Sequence, residues 1–202
     1  MPHQVVFMNG PPRSGKDLAG LFITEEIPSA RELKMSEPLK MCVSTLFGVS
    51  FADVRRWEAH GNTEKEMPQA QLHNMSWREA LIWMSESCVK PRLGETFFGD
   101  TMVRRLQEPT STTLSVITDV GFQDEVMPII TTCGVANCHL FRLHRDGCVY
   151  AGDSRGYLFR HHPPIGLHIE DINNNHDPQM FKIQVMRRIN KIIGRKQEFR
   201  LI

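Results

Sequence analysis

Apolar and polar positions along the chain alternate between two rhythms. Val5-Val6-Phe7-Met8-Asn9 is a short apolar run of β-type residues, and Leu18 to Ile23 then reads as an amphipathic helix. A second strand is predicted over Ala30–Met35. Ser36 as N-cap, with Pro38 near the first turn, predicts a helix to about Phe47. Residues 48–74 are polar and irregular, with a short helix near 52–59. Ser76 and Glu79 have capping-box spacing and open a helix carrying Leu81, Met84 and Cys88. After Lys90-Pro91-Arg92-Leu93-Gly94, a further helix runs from about Phe97 to Gln107. Leu114 to Asp119 is an apolar strand ending in an acid, 124–133 a helix and 138–143 a fourth strand. Residues 144–164, rich in Gly, Arg and Asp, read as a loop or lid. A fifth strand near 167–169 precedes a helix from Met180 to Ile193, ended by Gly194. Strands alternating with helices predict an α/β fold with a parallel sheet.

Between the first strand and helix lies Gly10-Pro11-Pro12-Arg13-Ser14-Gly15-Lys16-Asp17. Buried strand, Gly-x4-Gly-Lys turn and helix together are the context a phosphate-binding P-loop requires. The two glycines permit a tight turn and close backbone approach. Successive N–H groups then point at phosphate oxygens, at a helix N-terminus that already favours anions. Lys16 is expected to reach the β- and γ-phosphates. Asp17 stands where Ser or Thr normally holds magnesium. A carboxylate there repels phosphate unless a cation lies between, so Asp17 either approaches Mg2+ or turns away.

Composition narrows the partners. The 202 residues are 41% apolar and 23% charged, enough for one globular domain, with a small insertion at most. Lys plus Arg is 24 against 23 acids, a net charge of +1, so any polyanion site is a local cluster rather than bulk charge. Five cysteines are too sparse for a disulfide scaffold and suggest a reducing cytoplasm. No signal peptide is visible, and no run approaches the ~20 apolar residues of a membrane helix.

Asp119, at the end of an apolar strand, is Walker-B-like and a candidate for the magnesium shell with Asp17. Arg142, Arg145, Arg155 and Arg160 fall in or beside the lid candidate; Arg145 and Arg155, in its Gly-rich part, are expected to close on the transferring phosphoryl group. Cys133, Cys138, His144 and Cys148 lie close in sequence but lack the C-x2-C spacing of a zinc site.

With these pieces in view, the sequence resembles the phage deoxynucleoside monophosphate kinase group, relatives of the thymidylate and adenylate kinases. The matching pieces are Arg13-Ser14-Gly15-Lys16-Asp17, Glu37-Pro38-Leu39-Lys40, Ser76-Trp77-Arg78-Glu79, Phe97-Phe98, Thr118 to Glu125 and Ile172-Asn173-Asn174. The resemblance implies a P-loop NTPase fold with a five-stranded parallel sheet, an acceptor-binding insertion at about 37–107 and a lid at about 144–162. It also implies ATP with Mg2+, Arg78 at the acceptor, and Asn173 and Asn174 near the adenine. One piece departs from the group: Asp119-Val120-Gly121-Phe122 has glycine where an arginine is usual, which favours an acceptor hydroxyl over an acceptor phosphate.

Lys90-Pro91-Arg92-Leu93-Gly94, Phe97-Phe98-Gly99-Asp100 and the segment from Arg145 to Arg155 are similar to phage kinases that phosphorylate the hydroxymethyl group of 5-hydroxymethyluracil within DNA. On that reading Glu37, or else Asp100, is the base or orienting group for the hydroxyl. Lys90 and Arg92 meet the DNA backbone, and Phe98 stands among the aromatics available to a flipped base. The expectation is therefore one P-loop kinase domain using ATP and Mg2+, with Lys16, Arg13 and residues 10–17 on the ATP phosphates. Its acceptor is a deoxypyrimidine, free or within DNA. A free deoxynucleoside monophosphate and a non-kinase nucleotide-binding role are the alternatives, and a homodimer stays open.

Overall fold

The computed structural model describes residues 3–59, 63–151, 155–175 and 177–194. The chain divides into two compact units, Met1–Lys34 with Gly99–Ile202, and Met35–Phe98.

The first unit is a five-stranded parallel sheet flanked by helices, an α/β fold as expected from the alternation of elements. Strand β1 (Gln4–Asn9) is followed by α1 (Lys16–Glu26) and β2 (Ala30–Leu33). After the second unit come β3 (Leu114–Ile117), β4 (Cys138–His144) and β5 (His168–Asn173), in the spatial order β2-β3-β1-β4-β5. The central strands read as continuous apolar runs because helices cover both faces: Val5 to Met8, Leu114, Val116 and Ile117 are all fully buried. One core packs Val6, Met8 and Phe141 against Ile23 and, from the last helix, Phe181 and Ile189.

The fifth strand is longer than its sequence suggested, and the reason is its edge position. Only Ile172 of β5 is buried, so period-2 hydrophobicity is weak. Its acids are instead held by arginines: Arg142 Nη2 lies 2.6 Å from Asp171 and Arg188 Nε 2.6 Å from Glu170. The third strand stops at Ile117, leaving Asp119 in the connection rather than in the strand.

The second unit holds α2 (Glu37–Phe47), α3 (Phe51–Glu58), α4 (Trp77–Ile82) and α5 (Lys90–Leu93) around a core of Val43, Trp57, Leu72 and Trp77. Trp77 Nε1 donates to Glu58, which also takes Lys40 at 2.7 Å. The capping box at Ser76 and Glu79 is formed. Lys90-Pro91, however, does not interrupt the chain's helical course. Residues 83–89 widen into π-helical turns, and the Lys90 N–H reaches the Ser85 carbonyl, five residues back. Pro91 has no N–H for the carbonyl four residues before it, and the wider turn accommodates its ring.

Helix α6 (Phe97–Leu106) begins where the units meet in sequence, and α7 (Gln123–Cys133) and α8 (Pro178–Ile192) complete the first unit. Among the described residues no helix is long and apolar enough to cross a membrane.

Candidate phosphate-binding site

The loop after β1 turns at the N-terminus of α1. Gly15 takes φ 102° as the residue capping that helix, a backbone open to glycine at little cost. A Cβ at Gly15 would lie 2.4 Å from Asn174 Nδ2, so the position is closed to side chains on steric grounds as well. Arg13, exposed, also has positive φ, at 66°. Lys16 folds back so that its ammonium donates to the carbonyls of Gly10 at 2.6 Å and Pro11 at 2.8 Å. The Ser14 N–H closes on Pro11 O at 3.2 Å, while the buried Ser14 Oγ has no hydrogen-bond partner. Two backbone carbonyls thus hold one positive charge at a helix N-terminus, with a buried hydroxyl left over. A cation, a helix N-terminus and a spare hydroxyl are groups that suit a bound phosphate.

Asn174 supports the loop from the segment after β5. Its side chain is buried, its amide donates to Ser14 O at 2.8 Å, and its backbone N–H to His144 O at 2.7 Å. The residue thus holds the phosphate loop itself. Asn173 is exposed at the end of β5, its side chain accepting from the Asn175 N–H.

Both expected metal ligands act on one cation, Lys34, Asp17 by direct contact and Asp119 through its charge. Asp17, whose side chain is 76% exposed, turns to Lys34 at 2.6 Å. Burial pulls the Lys34 ammonium down, but the Asp17 hydrogen bond and the charges of Asp17, Glu32 and Asp119 outweigh it and raise its pKa above the ordinary 10.5. Glu32 in turn accepts from Thr118 Oγ1 at 2.6 Å. Magnesium bound with a nucleotide takes most of its ligands from phosphate and water, so one or two carboxylates at this edge fit it. Among the described residues no three His, Cys, Asp or Glu side chains gather as a metal site of their own. The Cys133 and Cys138 thiols are hydrogen-bonded to each other. His144 stands at the far end of β4 from Cys138, roughly 20 Å along the strand at ~3.3 Å per residue, so this group cannot share one zinc.

The expected lid is tied down at several points; its residues 152–154 lie outside the described ones. Arg145 donates to Arg13 O at 3.3 Å. Arg142 is engaged with Asp171, and Arg160 lies over the Tyr157 ring, which stacks on His144. A cavity of about 500 Å3 opens beside the loop, lined by Pro11, Tyr150, Tyr157 and Arg160 among others. The Arg155 stem crosses Gly121 so closely that a Cβ there would lie 2.2 Å from Arg155 Cδ.

Of the residues expected on the acceptor, Glu37, Arg78, Lys90, Arg92 and Phe98 lie in the second unit, and two of them are placed otherwise than the sequence suggested. Phe98 is part of the apolar core, where its ring is covered by neighbours. Lys90 is 4% exposed at its side chain and paired with Glu86 at 2.8 Å. The Arg78 Nε–H is shared between the two carboxylate oxygens of Glu66, each at 2.9 Å. Arg92 and Glu37 are exposed, the latter in the first turn of α2. Asp100, the other candidate base, is exposed on α6 in the first unit. Sequence reasoning missed Asn9 and Lys34; the signal was a polar residue closing an otherwise apolar strand, and a lysine just past the end of β2.

No family model and no curated protein matches the chain. Among solved structures it is similar to thymidylate kinase from Candida albicans, at 9% identity over 96% of this chain and 94% of that one, with a TM-score of 0.46. It is also similar to an unliganded sugar kinase from Janibacter sp. HTCC2649, at 12% identity over 96% and 95%, with a TM-score of 0.42.

Proposed function

We propose that the chain is an ATP-dependent phosphotransferase of the P-loop type, acting on a nucleotide-type acceptor. The observation that carries this is the loop: Lys16 drawn over the Gly10 and Pro11 carbonyls, at the N-terminus of α1, behind a left-handed Gly15. Phosphoryl transfer asks mainly for positioning and positive charge, and such a loop supplies both. In this reading the backbone N–H groups and Lys16 hold the phosphates, with Arg13, Arg145 and Arg155 adding charge around them. Asp17 and Asp119 would hold Mg2+, which when bound neutralises charge on the β- and γ-oxygens.

For the acceptor, the resemblance implies either the hydroxymethyl group of 5-hydroxymethyluracil in DNA or a free deoxynucleoside monophosphate. Glycine at 121, taken by the sequence alone, favours the hydroxyl. With the Arg155 stem lying across that glycine, a phosphate-bearing acceptor is no longer disfavoured on this ground.

The test is incubation with γ-labelled ATP and Mg2+ plus, separately, free deoxynucleoside monophosphates and DNA containing 5-hydroxymethyluracil. Label in the DNA supports the first acceptor, and label in free nucleotide the second. ATP binding with label in neither, over a broad panel, supports a non-kinase nucleotide-binding role. Lys16→Ala is expected to abolish transfer, and unchanged activity in that variant would refute the assignment of the loop.

A further inference from the structure

Asn9 closes β1 one residue before the loop and is fully buried. Its side-chain amide donates to Val120 O and Gly156 O, each at 3.1 Å, and to the Tyr150 hydroxyl at 3.3 Å. Its carbonyl oxygen accepts from the Leu158 N–H at 2.9 Å. One side chain thus binds the exit of β3 to residues 156–158, the segment expected to move as a lid. Leu158 and Phe159, 2% and 3% exposed, anchor the same segment in the core.

Gly121 stands beside this clamp. It is buried and is not among the glycines with positive φ, so its backbone conformation does not call for glycine. Its neighbour does. A Cβ there would lie 2.2 Å from Arg155 Cδ, 2.5 Å from Cγ and 3.2 Å from Cβ, against ordinary carbon separations of about 3.5–4.0 Å. The missing side chain is the space through which Arg155 passes, two residues beyond Asp119.

We propose that Asn9 and Gly121 are positioning residues that hold Arg155 in place for phosphoryl transfer, so that its guanidinium is a fixed part of the site rather than one delivered by closure. This rests on the phosphotransferase reading. Arginine pre-set at a phosphate site loses less side-chain freedom on binding and offers a forked donor to phosphate oxygens.

The experiment is a double-mutant cycle of Gly121→Ala and Arg155→Ala, read by thermal unfolding and by Mg2+-dependent turnover of ATP with the acceptor panel above. Alanine at 121 is expected to lower Tm much more when Arg155 is present than when residue 155 is alanine, where only the 3.2 Å approach to the Cβ of residue 155 remains. It is also expected to lower kcat about 100-fold, as a displacement of about 1 Å can, with no further loss in the Arg155→Ala background. The KM for ATP stays within about threefold, since the loss falls on the transition state. If Gly121→Ala folds only together with Arg155→Ala, the packing claim holds, and Asn9→Ser with and without Arg155→Ala reads turnover by the same cycle. Equal Tm losses in both backgrounds, additive turnover losses, or wild-type turnover in Arg155→Ala would each overturn the proposal. Turnover that survives Lys16→Ala, or a wild type that neither binds ATP nor turns it over, overturns the underlying reading instead, whatever the unfolding cycle shows.

Discussion

The ammonium of Lys34 lies 2.6 Å from the carboxylate of Asp17, so the acid that replaces Ser or Thr after the P-loop lysine has a cation of its own. A carboxylate in the first turn of α1 suits the helix dipole but opposes an incoming phosphate. Lys34 removes most of that opposition. Both partners are partly exposed, so the pair adds at most about 1 kcal/mol to stability and its value lies in binding. Lys34→Met is expected to weaken ATP affinity about tenfold, an effect that salt reduces, and Asp17→Ser in that background to restore it. Equilibrium ATP binding at low and high ionic strength checks this; equal affinity in Lys34→Met sinks it.

Asn174 holds the Ser14 carbonyl from the far side of the sheet order, on the segment after β5. Asn174→Ala leaves a buried carbonyl unpaired, at a cost of about 1–3 kcal/mol, and loosens the loop. Asn174→Asp is expected to be worse, since a carboxylate cannot donate and would face the Ser14 oxygen directly. The observable is a joint fall in Tm and in ATP affinity, ranked wild type, Ala, Asp. A normal ATP affinity in both variants would show that the loop keeps its shape without this support.

Much of this architecture was legible because its signals are local. The P-loop spacing, the alternating apolar runs and the capping box at Ser76 each depend on residues within one turn or one strand, and each formed. The edge strand β5 was not legible in full, because its acids are satisfied by Arg142 and Arg188 from other elements. The burial of Lys90 was not legible either: a lysine beside Arg92 reads as surface charge, whereas its side chain is covered and paired with Glu86. In the site, glycine at 121 read as the loss of an arginine. Only the packing of Arg155 over it, 34 residues further along, gives that glycine a positive role.

Cys133 and Cys138 form a hydrogen-bonded thiol pair between the end of α7 and the start of β4. The hydrogen bond from Cys138 brings the Cys133 thiol down to about 7 from the ordinary 9.0, against the opposing effect of burial. Cys138 itself is pushed far up by the same contact and by burial. Near neutral pH Cys133 is therefore the nucleophilic member of the pair. Brief iodoacetamide treatment followed by peptide mass mapping is expected to label Cys133 and spare Cys138. Cys138→Ala removes the donor and is expected to slow Cys133 labelling about tenfold near pH 7.5. Undiminished labelling of Cys133 in that variant would mean that the pair does not tune it.

The second unit carries an acid-sensitive cap. Glu79 accepts from the Ser76 backbone N–H at 2.7 Å, and the Ser76 hydroxyl accepts from the Glu79 N–H at 3.2 Å. The backbone hydrogen bond, then the side-chain bond to Ser76, lowers the Glu79 pKa below the ordinary 4.5, with desolvation opposing. A carboxyl group whose folded pKa is depressed contributes stability that is present above its unfolded pKa. That contribution is lost as pH falls through the lower folded value. The second unit is thus expected to lose part of its stability on acidification below about 4.5, and Glu79→Gln to flatten that part of the curve while lowering stability at neutral pH. Ser76→Ala removes the other half of the box and is expected to cost about 1 kcal/mol near neutral pH and less once Glu79 is protonated, since the Ser76 hydroxyl also favours the ionised carboxylate. Thermal unfolding from neutral pH to about 3.5, followed by tryptophan fluorescence, reads the effect where it arises, because Trp57, Trp77 and Trp83 all lie in this unit. An acid transition of the same depth in wild type and Glu79→Gln would assign that sensitivity to other carboxylates.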